Sequence, residues 1–208
     1  MNKNSIIIGY SCHSFVVLDV LHANGINCNY YCEHEEKTIN PYDLQYLGNE
    51  RDPKHLNFLS QHNIYIGVGE NIARSKIFNY LALNNLNTPF VSHPSAIISP
   101  SARLTDAAII MPGVVINSLA TIGKGVICNT SSIIEHECSI GDFSHIAPGA
   151  VLCGNVSIGK KCFVGANSVI KQGVKIGDGV VIGAGSLVLK DVSNNSMVFG
   201  NPAKVKIK

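Results

Sequence analysis

From Ile98 to Val188 every sixth residue of the chain is apolar. The positions are Ile98, Leu104, Ile110, Ile116, Ile122, Cys128, Ile134 and Ile140, then Ile146, Leu152, Ile158, Val164, Ile170, Ile176, Ile182 and Val188. The residue four further on is always Ala, Val, Ser or Cys. Gly directly follows the register position at 123, 141, 159, 165, 177 and 183. A period of six matches neither the helical repeat of about 3.6 nor the strand alternation of about 2. It is the mark of a solenoid, a stack of short flat strands joined by tight turns. The large aliphatic residue points into a narrow prism, and the small one sits near a corner where little volume is free. Gly and Asn supply the backbone angles that such turns need.

The chain before this repeat has a different character. Eleven of the fourteen aromatic residues, including all seven Tyr, precede residue 92, whereas fourteen of the nineteen Gly follow it. Ser92-His93-Pro94-Ser95 is a natural joint, because Pro restricts its neighbours and breaks regular structure. The chain therefore divides into 1–92 and 93–208. In the first part, Ser5 to Gly9 reads as a buried strand, and Ser14 to Asn24 as a helix with an apolar stripe of Val16, Val17, Val20 and Leu21. Gly25 ends that helix. Asn27 to Cys32 and Ile64 to Val68 read as further strands, Glu70 to Leu83 as a helix, and Thr88 to Val91 as a last strand. Alternating strands and helices predict a parallel sheet of Rossmann-like α/β type.

Composition narrows the function classes. Only 14% of residues are charged and the net charge is +2, which argues against a nucleic-acid binder that relies on a strong basic field. No apolar run approaches the roughly 20 residues that span a bilayer. Met1-Asn2-Lys3-Asn4 leads straight into Ile6-Ile7-Ile8, without a signal peptide's apolar segment, so a cytoplasmic location is expected. Seven Cys lie scattered, with no Cys-x-x-Cys pair. They read as small apolar fillers rather than a disulfide framework or a zinc site.

Histidines are the chemistry candidates. Of eight, only His136 and His145 lie inside the repeat. His136 is two residues past Ile134 and His145 five past Ile140, so both are expected to face outward from the prism walls. Imidazoles titrate near neutrality, so an outward one on a charge-poor wall is a candidate base. The three histidines that a metal-dependent β-helix hydratase would need are not in the repeat.

The surrounding residues are Asn129-Thr130-Ser131-Ser132-Ile133-Ile134-Glu135-His136-Glu137-Cys138 and Ile140-Gly141-Asp142-Phe143-Ser144-His145. This run resembles the hexapeptide-repeat nucleotide-aminosugar N-acetyltransferases of the bacillosamine-pathway type and their sialic acid O-acetyltransferase relatives. Gly9-Tyr10-Ser11-Cys12-His13-Ser14 is similar to that family's G-x-S-G-H-type turn, with Cys12 where the family has Gly. Gly200-Asn201-Pro202-Ala203-Lys204 resembles its closing motif.

The resemblance implies a left-handed parallel β-helix behind the Rossmann-like domain, of about five coils at three hexads each. It implies a homotrimer with active sites between subunits, acetyl-CoA as co-substrate and no metal. His136 would be the general base, oriented by Glu137, with Asn129 positioning the site. An extended strand would point both Glu135 and Glu137 away from His136, so a local turn must bring one back or a neighbouring chain must supply the carboxylate. His145 would hydrogen-bond the thioester region of acetyl-CoA, while Gly154, Ala166 and Ala184 would contact its pantetheine arm. Lys190, Lys204, Lys206 and Lys208 against Asp191 make the C-terminal segment basic, which suits the anionic nucleotide end of CoA.

The turn that holds Gly9 and Ser11 would bind the sugar nucleotide's diphosphate at a helix start, and His13 would contact phosphate or the sugar. Glu33, after the second strand, would take base or ribose. Gly69, Asn71 and Arg74 would neighbour the phosphates. The activity implied is acetylation of the 4-amino group of a UDP- or dTDP-linked 4-amino-4,6-dideoxy sugar, for bacterial surface glycan synthesis. Two alternatives stand beside it: O-acetylation of a sialic acid, and a non-enzymatic β-helix scaffold.

Overall fold

A computed structural model describes residues 4–206. Lys208, one of the tail lysines, and the opening Met1-Asn2-Lys3 lie outside the described residues.

The first part is an open parallel sheet. Its elements in chain order are β1 (Ser5–Ile8), α1 (Cys12–Ala23), β2 (Cys28–Cys32), β3 (Gln45–Gly48), α2 (Leu56–Leu59), β4 (Asn63–Ile66) and α3 (Asn71–Leu83). The sheet order is β3-β2-β1-β4. β1 is fully buried, so its run of Ile packs on both faces, as central parallel strands do. Glu70 caps α3, accepting from the backbone N–H groups of Ile72 and Ala73. Neither β3 nor α2 is anticipated by the sequence reading. Gln45-Tyr46-Leu47-Gly48 is short and half-buried, and shows no clean alternation. The strand expected at Thr88 to Val91 is instead Val91–Ser92 (β5), and it belongs to the second part. It pairs in parallel with Ile109–Ile110, and so opens the prism one hexad before Ile98.

The second part is a three-sided parallel β-helix. Its two-residue strands pair with those eighteen residues on, as Ile127–Cys128 does with His145–Ile146. The second residue of each strand is the register residue, and from Ile110 to Val188 all of these are buried at 3% exposure or less. The small residues four further on are buried too. Cys128, Cys138 and Cys162 are among these core positions, and none of the seven cysteines is in a disulfide.

The turns are built differently from expectation. Backbone in the left-handed region recurs every six residues, three past the register position: Ala107, Gly113, Leu119, Gly125, Ser131, Glu137, Phe143 and onward to Gly185. Eight of these fourteen corners carry a side chain. The glycines one past the register do not have positive φ. They are glycines because the coils stack closely: a Cβ on Gly141 would meet the Gly159 carbonyl carbon at 2.6 Å and the Lys160 nitrogen at 2.7 Å. Met197–Phe199 and the antiparallel strand Lys204–Val205 close the far end, covering an edge that would otherwise be unpaired.

Candidate active site

The hexad frame decides how His136 and Glu137 meet. They occupy a corner, not a strand, and Glu137 is the left-handed corner residue, with φ of 61°. That turn brings its carboxylate back: Glu137 Oε2 lies 3.1 Å from His136 Nδ1. A carboxylate only accepts, so Nδ1 carries the proton and a neutral ring presents an unprotonated Nε2. Glu135 is occupied elsewhere, since its Oε2 accepts from Asn117 Nδ2 at 2.9 Å. Both His136 and Glu137 are exposed. Gly154 lies beneath the ring, one coil further on. A Cβ there would stand 2.5 Å from both Cε1 and Nε2 of His136.

Asn129 and His145 lie elsewhere on the same prism. Asn129, Ala166 and Ala184 follow the strands of the sheet that holds Ile127–Cys128 and His145–Ile146, and so line the edge where the chain leaves that sheet. His136 and Gly154 line the next edge. One chain therefore carries two partial sites on different edges.

His145 points outward, but it is buried at 9% exposure rather than open. The first domain covers it. Its ring packs against Phe163 with centroids at 5.3 Å and faces His13 at 6.0 Å. Asn129 Nδ2 donates to His145 Nε2 at 3.0 Å. The imidazole's pKa is pushed down to about 4, first by burial, then by the Arg74 guanidinium and by His13, against a hydrogen bond to the Gly69 backbone. His13 is likewise held at about 4, by burial and then by Arg74, and its Nε2 is buried with no hydrogen-bond partner.

Arg74 is the centre of this seam and corrects the sequence expectation. It has no exposed surface and no donor left for a phosphate. Nε donates to the Gly125 carbonyl at 2.7 Å, and Nη1 to those of Val68 at 3.2 Å and Gly69 at 2.7 Å. Nη2 reaches Asn71 Oδ1 at 2.7 Å and the Phe143 carbonyl at 2.9 Å. Asn71 in turn donates to the Cys162 carbonyl. Gly69, Asn71 and Arg74 thus clamp the first domain onto the prism.

Gly9 and Glu33 line a cavity of about 370 Å³ at the carboxyl ends of β1 and β2, where open α/β sheets bind ligands. Glu50, Arg51 and Lys76 line it too. These three are missed by sequence reasoning, Glu50 and Arg51 because β3, which carries the chain to them, is not foreseen. Ser11 is exposed at the N-cap of α1. Cys12, in place of the family's Gly, is simply the first residue of that helix, where no glycine is required. Lys204 is exposed in the closing strand. Among the described residues, no three His, Cys, Asp or Glu side chains are grouped so as to hold a metal ion, and no helix is long and apolar enough to cross a membrane.

Residues 4–81 match the PglD N-terminal domain, and residues 155–190 match the hexapeptide repeat of succinyl-transferase. The acetyltransferase domain of PglB from Neisseria gonorrhoeae, solved in complex with acetyl coenzyme A, is 31% identical. The match covers 99% of this chain and 100% of that one, with a TM-score of 0.92. The chain belongs to the hexapeptide-repeat nucleotide-aminosugar N-acetyltransferases. A second member of this acetyltransferase family, PerB from Caulobacter crescentus, was solved with CoA and GDP-perosamine. It is 30% identical over 98% of this chain and 97% of that one, with a TM-score of 0.90. WeeI from Acinetobacter baumannii, at 22% identity, shares the fold with a TM-score of 0.86. Membership makes the chain an acyltransferase and removes the scaffold alternative.

Proposed function

We propose that the chain transfers the acetyl group of acetyl-CoA to the 4-amino group of a nucleotide-linked 4-amino-4,6-dideoxy sugar, with His136 as general base. The observation that carries this is the His136–Glu137 pair: on an exposed corner Nδ1 is held by a carboxylate, and Nε2, lying over Gly154, has no hydrogen-bond partner among the described residues. The amine nitrogen attacks the thioester carbonyl, and Nε2 takes the proton that the nitrogen loses. The carbon–sulfur bond breaks, the imidazolium returns that proton to the sulfur, and the products are the amide and free CoA thiol. Glu137 stabilises the imidazolium while it lasts.

The division of candidates between two prism edges supports a trimer with sites between subunits. In that arrangement the His136 edge of one copy faces the Asn129, Ala166 and Ala184 edge of the next. Acetyl-CoA lies in the groove between them, with Lys204 toward its phosphates. With Nε2 of His145 held by Asn129 and its ring covered by the first domain, its part within its own chain is to fix Asn129 and the domain seam. Gly9, Ser11 and His13 lead from the nucleotide cavity toward that seam. The family resemblance favours UDP or dTDP as carrier, while the solved relative PerB holds a GDP-sugar.

The test is release of CoA thiol from acetyl-CoA with a panel of UDP-, dTDP- and GDP-linked 4-amino sugars and free sialic acid. Turnover with an aminosugar, and a fall in kcat of about 10²–10⁴-fold in His136→Ala, is the expected result. Turnover with sialic acid alone would replace the reading with O-acetylation.

A further inference from the structure

Glu50 is the only buried carboxylate among the described residues, at 6% exposure. It lines the cavity beyond β3, yet among the described residues no backbone N–H or side-chain donor hydrogen-bonds to it. Its one ion-pair partner among the described residues is Arg51, whose Nε is 3.5 Å away on a half-exposed side chain, and Lys76 lines the same cavity. Glu33 in the same cavity is different. It accepts from the backbone N–H groups of Tyr10 and His34 and pairs with Lys37, so its oxygens hold the loop that follows β2. The Glu50 oxygens are not among the sealed polar atoms that lack a partner, so they open onto the cavity, where a ligand can supply the donors that this mostly desolvated carboxylate lacks. The pKa of the Cys32 thiol, raised to about 12 by burial and then by the Glu50 charge, places that charge against the cavity wall.

The order of the strands gives the cavity a direction. Reading outward from the sheet centre, β1 ends at Gly9, β2 leads to Glu33 and the edge strand β3 leads to Glu50. Neighbouring strands are about 4.8 Å apart, so these three residues mark steps along a line. A nucleotide with its diphosphate near Gly9, beside the start of α1, places its ribose by Glu33 and its base by Glu50.

We infer that Glu50 reads the nucleobase of the donor and selects guanine over uracil or thymine. Guanine presents two adjacent donors, the ring N1–H and the exocyclic amine, on one edge, and a carboxylate accepts both. Uracil and thymine present a single N–H flanked by two carbonyl oxygens, which a carboxylate repels. The inference rests on the reading that the donor is a nucleotide-linked sugar.

The experiment is calorimetric titration of the full chain, without acetyl-CoA, with GDP, inosine diphosphate, UDP and dTDP. GDP is expected to bind at least about tenfold more tightly than UDP or dTDP. Inosine diphosphate, which lacks the exocyclic amine, should lose about tenfold against GDP, the usual effect of one hydrogen bond to a charged group. Glu50→Gln should abolish the GDP advantage. UDP or dTDP binding as well as GDP, no binding by any of the four, or a GDP advantage that survives in a folded Glu50→Gln protein overturns the inference. If that variant does not fold, equal binding of GDP and inosine diphosphate to the unaltered protein overturns it instead. A GDP preference without turnover of any GDP-linked amine would leave the base reading standing and remove the acetyl-transfer reading. Turnover confined to UDP- or dTDP-linked amines would do the reverse.

Discussion

The imidazole of His136 rests on Gly154, one coil along, so closely that a methyl group there would stand 2.5 Å from its Nε2. The family resemblance makes Gly154 a contact for the pantetheine arm, and within the chain its nearest neighbour is the candidate base itself. Gly154→Ala must therefore push the ring off its corner. Its φ is not in the left-handed region, so the substitution adds bulk without backbone strain. A displacement of about 1 Å costs about 10²-fold in rate. We expect kcat to fall by that order in steady-state kinetics, with the melting temperature nearly unchanged. A rise in KM for acetyl-CoA at constant kcat would assign Gly154 to the pantetheine instead.

The two glutamates that flank His136 should separate cleanly. Glu137 faces Nδ1, whereas Glu135 holds Asn117. Glu137→Gln replaces a charge-assisted hydrogen bond by a neutral one, a difference of about 1–1.5 kcal/mol. That is about tenfold in kcat. Glu135→Gln can still accept from Asn117 and should leave kcat within about twofold. Side-by-side kinetics of the two variants decides the assignment, and an equal loss in both would contradict it.

The prism and most of this corner are legible in the sequence because the hexad register is a purely local rule. Ile134 and Ile140 fix the corner between them, and that corner contains His136 and Glu137. What the pattern does not carry is the position of the left-handed residue, since Glu137, Phe143 and Lys161 hold it without being Gly or Asn. The adjacent glycines draw attention to the wrong place, because they answer to coil spacing. The seam is illegible for a different reason. Arg74 looks like any helix-start arginine, and its acceptors at Gly125 and Phe143 are 51 and 69 residues away. Likewise the register makes His145 outward-facing, but only the docked first domain makes it buried.

Arg74 should matter for stability more than for chemistry. Replacing it by Met of similar length removes every donor from a set of carbonyls sealed between the domains. Each buried acceptor left unpaired costs about 1–3 kcal/mol, so a total loss of about 4 kcal/mol or more is expected, at the extreme for single substitutions. Chemical denaturation should show it, and the first domain should become more sensitive to proteolysis than the prism. Arg74→Lys, which keeps the charge with fewer donors in a compact head, should recover only part of the loss. An unchanged denaturation midpoint in the Met variant would refute the clamp.

The same seam makes stability depend on pH in a definite direction. His13 and His145 titrate at about 4 in the folded chain against 6.5 ordinarily, chiefly because burial disfavours their charged forms and Arg74 repels them. Between pH 6.5 and 4 the unfolded chain therefore binds protons that the folded chain does not. Stability rises with pH wherever the unfolded state binds more protons, so here it falls as the solution is acidified through that window. Each histidine contributes about 3 kcal/mol to the loss, which levels off below about pH 4 as both charge in the folded state as well. Because the charge would appear between the domains, the first domain should loosen before the prism melts. Denaturation midpoints measured from pH 7 to pH 4 should decline across the window, and His145→Asn should flatten the decline by about half. A midpoint independent of pH over that range would show that these imidazoles are not held neutral by the seam.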